Sequence, residues 1–457
     1  MKHRRMASAI PTGIAVAIAF GTLSAYAASQ HAAQNNAAAR NSANGGSQPT
    51  PTFQVDPYWP KPLPDNWVTG EIGGTCVDSQ DHVFVVTRGF QTGGLASPEG
   101  VGGADPKTGQ FAKSKASPPV IEFDQDGNVA NSWGDPSIVP TGQPHAGQNA
   151  VLPNGIHGCF VDYQDNVWIG GNGDGVVQKY SHDGTLLMTI GQKFTCDDGQ
   201  GGTIPCVNPG SAGGAENGFG NVGRTGTPNS PLLDLPADIA VDPDPDPVTG
   251  QRGSVYIADG YGNHRVVVFD ATGHYLRQMG GVGTGPGQFT SGDGGHPHCV
   301  VIGRDKLVYA CDRGQDRINV FTRTGTFVKA IPIIPGTAAL GTAGSAWDVD
   351  FSTDAIQTFA YVSDGGNEVM WIFNHADALN GTSYVPPVGG FGRPGHMAGE
   401  FTFLHMMAID SKGNLYAGET IGGRRIQKFT KVSGCPGNSA GHGNAPPGGC
   451  PGNSGGH

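Results

Sequence analysis

Asn154-Gly155-Ile156-His157-Gly158-Cys159-Phe160-Val161-Asp162 has two counterparts further along the chain: Gly295-His296-Pro297-His298-Cys299-Val300-Val301-Ile302 and Phe403-Leu404-His405-Met406-Met407-Ala408-Ile409-Asp410. In each, a histidine stands at the mouth of a short β-branched or apolar run. A polar turn follows (Gln164-Asp165-Asn166, Gly303-Arg304-Asp305, Ser411-Lys412-Gly413), and then a second strand-like run (Val167-Trp168-Ile169, Leu307-Val308-Tyr309, Asn414-Leu415-Tyr416). Short apolar runs bounded by turn residues read as paired antiparallel strands.

Working outward, the unit occurs six times, beginning near Gly73, His157, Ala237, His298, Trp347 and His405. Each copy adds a third strand that ends in Phe or Tyr, such as Val120-Ile121-Glu122-Phe123 or Val176-Val177-Gln178-Lys179-Tyr180, and the first five add a weaker fourth strand. Four-stranded units repeated in this way predict an all-β, six-bladed β-propeller. The sixth copy stops after its third strand, Ile426-Gln427-Lys428-Phe429. The early strand Phe53-Gln54-Val55 is therefore expected to complete that blade and close the ring.

The first strand of a propeller blade lines the central channel. The histidines fall at one repeat position on blades two, four and six, so their three side chains should converge on the axis. The second strand runs antiparallel to the first and ends on the face where the first begins. Arg88, Asp259 to Tyr261 and Asp312-Arg313 follow second strands and should share the histidines' face, as should the long insertions at residues 89–119, 192–233 and 280–295. Asp259, Asp312 and Asp364, like Asp78, Asp162, Asp242 and Asp410, recur at fixed positions and read as turn-fixing side chains.

The ends read differently. Residues 1–27 carry a basic start, an apolar run and Ala25-Tyr26-Ala27, the pattern of a cleaved secretory signal. Residues 28–50 form a polar leader, 51–432 the propeller, and 433–457 a Gly-rich tail with two Cys-Pro-Gly-Asn-Ser copies. The mature chain is expected to be secreted or periplasmic, monomeric and without a membrane span. A formal charge of −11 with 14% charged residues argues against nucleic acid. Of eight cysteines, Cys196 and Cys206 are the first choice for a disulfide and Cys435 and Cys450 the second. Cys76, Cys159, Cys299 and Cys311 read as small buried thiols.

Three neutral imidazoles with no fourth protein ligand describe an open zinc site at His157, His298 and His405, with copper, nickel or iron as alternatives. On the same face the Tyr261 phenol is a candidate proton acceptor. Arg88 and Arg313 are candidate carboxylate clamps, or else inter-blade ion pairs.

The six copies resemble NHL repeats. Ile156-His157-Gly158, Ile257-Ala258-Asp259-Gly260-Tyr261 with Asn263 and Arg265, and Pro297-His298 with Cys311-Asp312-Arg313 resemble the motifs of peptidyl-α-hydroxyglycine α-amidating lyases. The resemblance implies zinc on His157, His298 and His405, and Tyr261 as the base. It places Arg88 and Arg313 near the tyrosine and the carboxylate of a peptide C-terminus or small-molecule substrate. The products would be an amide and glyoxylate. Where the family has a calcium-ligating Asp after the third histidine this chain has Met406, which puts a structural calcium in question. The family's cysteine after the tyrosine is Gly262. The competing readings are a non-catalytic extracellular binding propeller and a metal-dependent hydrolase or lactonase.

Overall fold

The repeated runs do form strands, and the strands assemble four at a time. The computed structural model describes residues 48–91, 95, 99, 114–206, 224–291, 295–337 and 343–432. The expected signal, residues 28–47 of the expected leader and the Cys435/Cys450 pair lie outside these residues, as do parts of the long insertions. Among the described residues six four-stranded sheets carry the architecture. Their first strands are Ile72–Val77, Ile156–Val161, Asp238–Asp242, Val300–Ile302, Asp348–Phe351 and Leu404–Ile409. The sixth sheet takes its outer strand from Thr52–Asp56, which pairs antiparallel with Ile426–Val432 from Thr52 opposite Val432 to Asp56 opposite Lys428. The first and last strands of the propeller therefore belong to one sheet.

Burial follows position in the blade. The second strands Val83–Thr87, Val167–Gly171, Ser254–Asp259, Phe359–Asp364 and Leu415–Glu419 are buried along their whole length. Neighbouring blades cover both of their faces, which is why these strands read as continuous apolar runs rather than alternating ones. Among the described residues the hydrophobic core is six clusters, one at each joint between adjacent blades, including one of Trp59, Ile72, Val83, Phe123 and Tyr416 where blade six meets blade one. A fully buried aromatic or aliphatic side chain contributes about 1.5–3 kcal/mol, so the joints are the main source of cohesion.

The recurring aspartates fix turns. Asp78 Oδ1 accepts from the Gln80 and His82 amides, and Asp162 and Asp410 do the same in their blades. Asp162 and Asp364 also accept from the Trp168 and Trp371 indoles, each at 2.9 Å, tying the turns to the core.

The disulfide pattern corrects the sequence reading. Cys196–Cys206 is present, but Cys76 and Cys159 are also bonded to each other, and so are Cys299 and Cys311. Cys76 and Cys159 sit on neighbouring first strands of blades one and two, with Cα atoms 5.4 Å apart. Cys299 and Cys311 face each other across the first two strands of blade four at 4.9 Å. Both separations are in the range a disulfide requires. No helix among the described residues is long and apolar enough to cross a membrane.

Candidate metal centre

Local backbone irregularity aims the histidines inward. The ladder of blade two shifts register between His157 and Cys159, and that of blade six between Leu404 and Met407. Such shifts re-aim side chains at functional sites. Gly158 makes the first shift feasible. Its φ is +73°, and a Cβ there would come within 2.6 Å of the Ala237 carbonyl. His298 lies two residues before its assigned strand, and its amide donates to the Cys311 carbonyl, continuing the ladder.

All three rings are buried, and one nitrogen from each lies within 4.8 Å of the other two. His157 Nδ1 donates to the Ala237 carbonyl at 2.6 Å and His298 Nδ1 to the Trp347 carbonyl at 2.7 Å. A carbonyl only accepts, so both rings carry their proton on Nδ1 and present an Nε2 lone pair. His298 Nε2 is buried without a hydrogen-bond partner. His405 Nε2 lies 3.0 Å from His157 Nε2. His405 Nδ1 is itself buried without a hydrogen-bond partner. Three buried imidazoles with one nitrogen of each within 4.8 Å of the other two, His298 Nε2 among them without a partner, are what a cation would satisfy, so the residues fit a metal.

Electrostatics favour neutral ligands. Burial, then Arg88 and Arg313, hold the His157 imidazole well below its ordinary range. Burial, then Arg313 and the other two histidines, do the same for His298. For His405 the causes are burial, His157, Arg88 and Arg313.

The residues after the second strands arrive on the expected face. The Tyr261 hydroxyl is 3.1 Å from His157 Nε2. Arg313 is fully buried, its guanidinium carbon 4.2 Å from the Trp347 ring centre and 6.0 Å from that of Tyr261. Arg88 Nε donates to the Ile156 carbonyl at 2.7 Å, while Nη1 pairs with Glu71 at 3.2 Å. Arg88 thus makes a structural ion pair beside the centre, and Glu71 also pairs with Arg424.

Tyr261 is placed by Gly260, where a Cβ would lie 1.9 Å from the Pro297 carbonyl oxygen. Gly260→Ala is expected to cost about 1–3 kcal/mol by overpacking. Urea unfolding measures it, and an unchanged midpoint would contradict the contact.

Sequence reasoning missed the carboxylates of the channel. A cavity of about 170 Å³ is lined by the first strands of all six blades, including Asp238, Asp348 and Asp350. Burial pushes Asp238 and Asp350 up to about 7, and Asp348 well above its ordinary value. Asp238 accepts from the Val300 amide and Asp348 from the Met407 amide, each joining its strand to the next blade. The signal was available: Asp238 and Asp348 follow Ala237 and Trp347, as Met406 follows His405.

No family model matches the chain. Human NHL repeat-containing protein 3 is 25% identical over 331 residues, covering 69% of this chain and 74% of that protein. The mouse protein is 25% identical over 398 residues, 83% of this chain and 84% of its own length. A stretch of 101 residues, 21% of this chain, is 37% identical to peptidylglycine alpha-amidating monooxygenase of Rattus norvegicus, of which it spans 9%. Among solved structures, a streptogramin B lyase aligns with a TM-score of 0.44 at 12% identity, over 83% of this chain and 98% of its own. The chain is a six-bladed β-propeller similar over most of its length to NHL repeat-containing protein 3 and, over a short stretch, to the peptidylglycine α-amidating enzymes.

Proposed function

We propose that this propeller is an exported, zinc-dependent carbon–nitrogen lyase that splits an α-hydroxyglycine carbinolamide into an amide and glyoxylate. The contact that carries the reading is Tyr261 hydroxyl to His157 Nε2, which sets a phenol against a buried cluster of neutral imidazoles. His157, His298 and His405 would hold the zinc. When bound it supplies Lewis acidity, lowering the pKa of a hydroxyl in the open position.

The chain's own residues do the rest. Tyr261, as phenolate, takes the proton of the substrate hydroxyl. The electron pair of that O–H bond becomes the new carbon–oxygen π bond as the carbon–nitrogen bond breaks. The amide nitrogen leaves with the bonding pair and takes up a proton, so neither an oxidant nor a reductant is consumed. Arg313, stacked on Trp347, presents fixed positive charge to the substrate carboxylate. Arg88, tied to Glu71, adds to the positive field that keeps the imidazoles neutral. The disulfides suit an oxidising compartment.

The test is to incubate the zinc-loaded chain with N-benzoyl-α-hydroxyglycine and measure benzamide and glyoxylate. Equal release of the two supports the lyase. Metal binding without glyoxylate removes it and leaves the binding-propeller reading.

The pH dependence of metal retention has a definite sign. The folded-state pKa values of the three histidines lie well below the ordinary 6.5, so protons compete for their lone pairs only at lower pH. Zinc affinity in equilibrium dialysis should be flat from about pH 8 to about 6.5 and decline below that. A decline that begins above pH 6.5 would contradict burial of neutral ligands.

A further inference from the structure

At the turn end of blade one, two imidazoles and two carboxylates converge with no part in the centre described above. Asp78 follows the first strand, His82 precedes the second and Glu122 lies in the third, Val120–Phe123. From blade two comes His182, in the turn after Val176–Tyr180. His82 Nδ1 is 2.6 Å from Glu122 Oε1, and His182 Nε2 is 3.0 Å from Asp78 Oδ2 and 3.8 Å from Glu122 Oε1. Ligand atoms of Asp78, His82 and Glu122 all lie within 4.8 Å of one another.

We propose that these four side chains form a second divalent-cation site, of the zinc class, that clasps blades one and two together. Mixed imidazole and carboxylate donors select zinc-like ions over calcium or magnesium, which prefer all-oxygen sets. The donors are prearranged. Asp78 Oδ1 is occupied by the Gln80 and His82 amides, which leaves Oδ2 turned toward His182. The Phe84 ring meets His182 edge-on at 5.1 Å and sets its plane. Both carboxylates are buried and each is satisfied by an imidazole, contacts that a shared divalent ion would replace. The imidazoles are the partly exposed members, at 26% and 34%, and give the ion its way in. The Cys76–Cys159 disulfide joins the same two blades, and the cation would be a second fastening at that joint.

The experiment loads the full chain with zinc chloride, removes free metal by desalting, and counts bound zinc. The His82→Ala/His182→Ala double variant and the conservative Glu122→Gln should each hold one equivalent fewer than the unaltered chain. A His157→Ala variant should keep the equivalent that those variants lose. Zinc stoichiometry unchanged in folded His82→Ala/His182→Ala, by circular dichroism, overturns the proposal. A measurement without variants guards against misfolding: crystals of the unaltered chain soaked in zinc should give an anomalous peak among the four side chains. Absence of that peak overturns the proposal whatever happens at the three-histidine centre, so this inference and the lyase reading fail separately.

Discussion

Replacing His298 with alanine is expected to abolish metal retention at the three-histidine centre while the propeller stays folded. The two halves of that expectation have separate causes. Nε2 of His298 is buried without a partner, and Nδ1 donates to the Trp347 carbonyl. Truncation removes one orphaned nitrogen and leaves one carbonyl without its donor. Each such change costs or returns about 1–3 kcal/mol, so they roughly offset. Metal affinity has no such compensation. Loss of a residue that merely orients a ligand costs about 10–100-fold, and loss of a ligand should cost at least the upper figure. Metal analysis after dialysis, beside circular dichroism, checks both halves. His298→Ala holding metal as tightly as the unaltered chain would contradict the site.

Tyr261→Phe carries the next largest effect, of a different kind. Phenylalanine keeps the ring, which packs closely against Gly295, and removes the hydroxyl that reaches His157. Metal content should therefore be unchanged. Positioned proton transfer is worth about 10²–10⁴ in rate, so kcat on the carbinolamide should fall by about that factor with KM little altered. A purely structural tyrosine would leave kcat within about threefold, well short of the range for a proton-transfer group. A fall in metal content with activity would mean the hydroxyl serves the imidazoles rather than the substrate.

The blade count was legible because each joint buries both faces of a strand, which leaves runs such as Val266-Val267-Val268-Phe269 in the chain at regular intervals. The convergence of His157, His298 and His405 was legible because the repeat fixes equivalent positions, and equivalent positions in a ring point to one axis. The register shifts beside His157 and His405 were not, since they depend on how one strand slides past its neighbour. The same blindness to cross-strand neighbours hid the pairing of Cys76 with Cys159 and Cys299 with Cys311. Arg88, which follows the second strand, pairs with Glu71, which precedes the first, and no local spacing marks that pairing. His182 approaches Asp78 from another blade, 104 residues away, and nothing in local spacing marks that meeting.

Three neutral imidazoles from alternate blades are proposed to share one metal ion on the axis. Anomalous diffraction at the zinc edge, from crystals of the full chain soaked in zinc, decides this. A peak about 2.0–2.1 Å from a ring nitrogen of each of His157, His298 and His405 is the predicted result. Rings turned apart, or zinc bound elsewhere with no peak between these three, would contradict it.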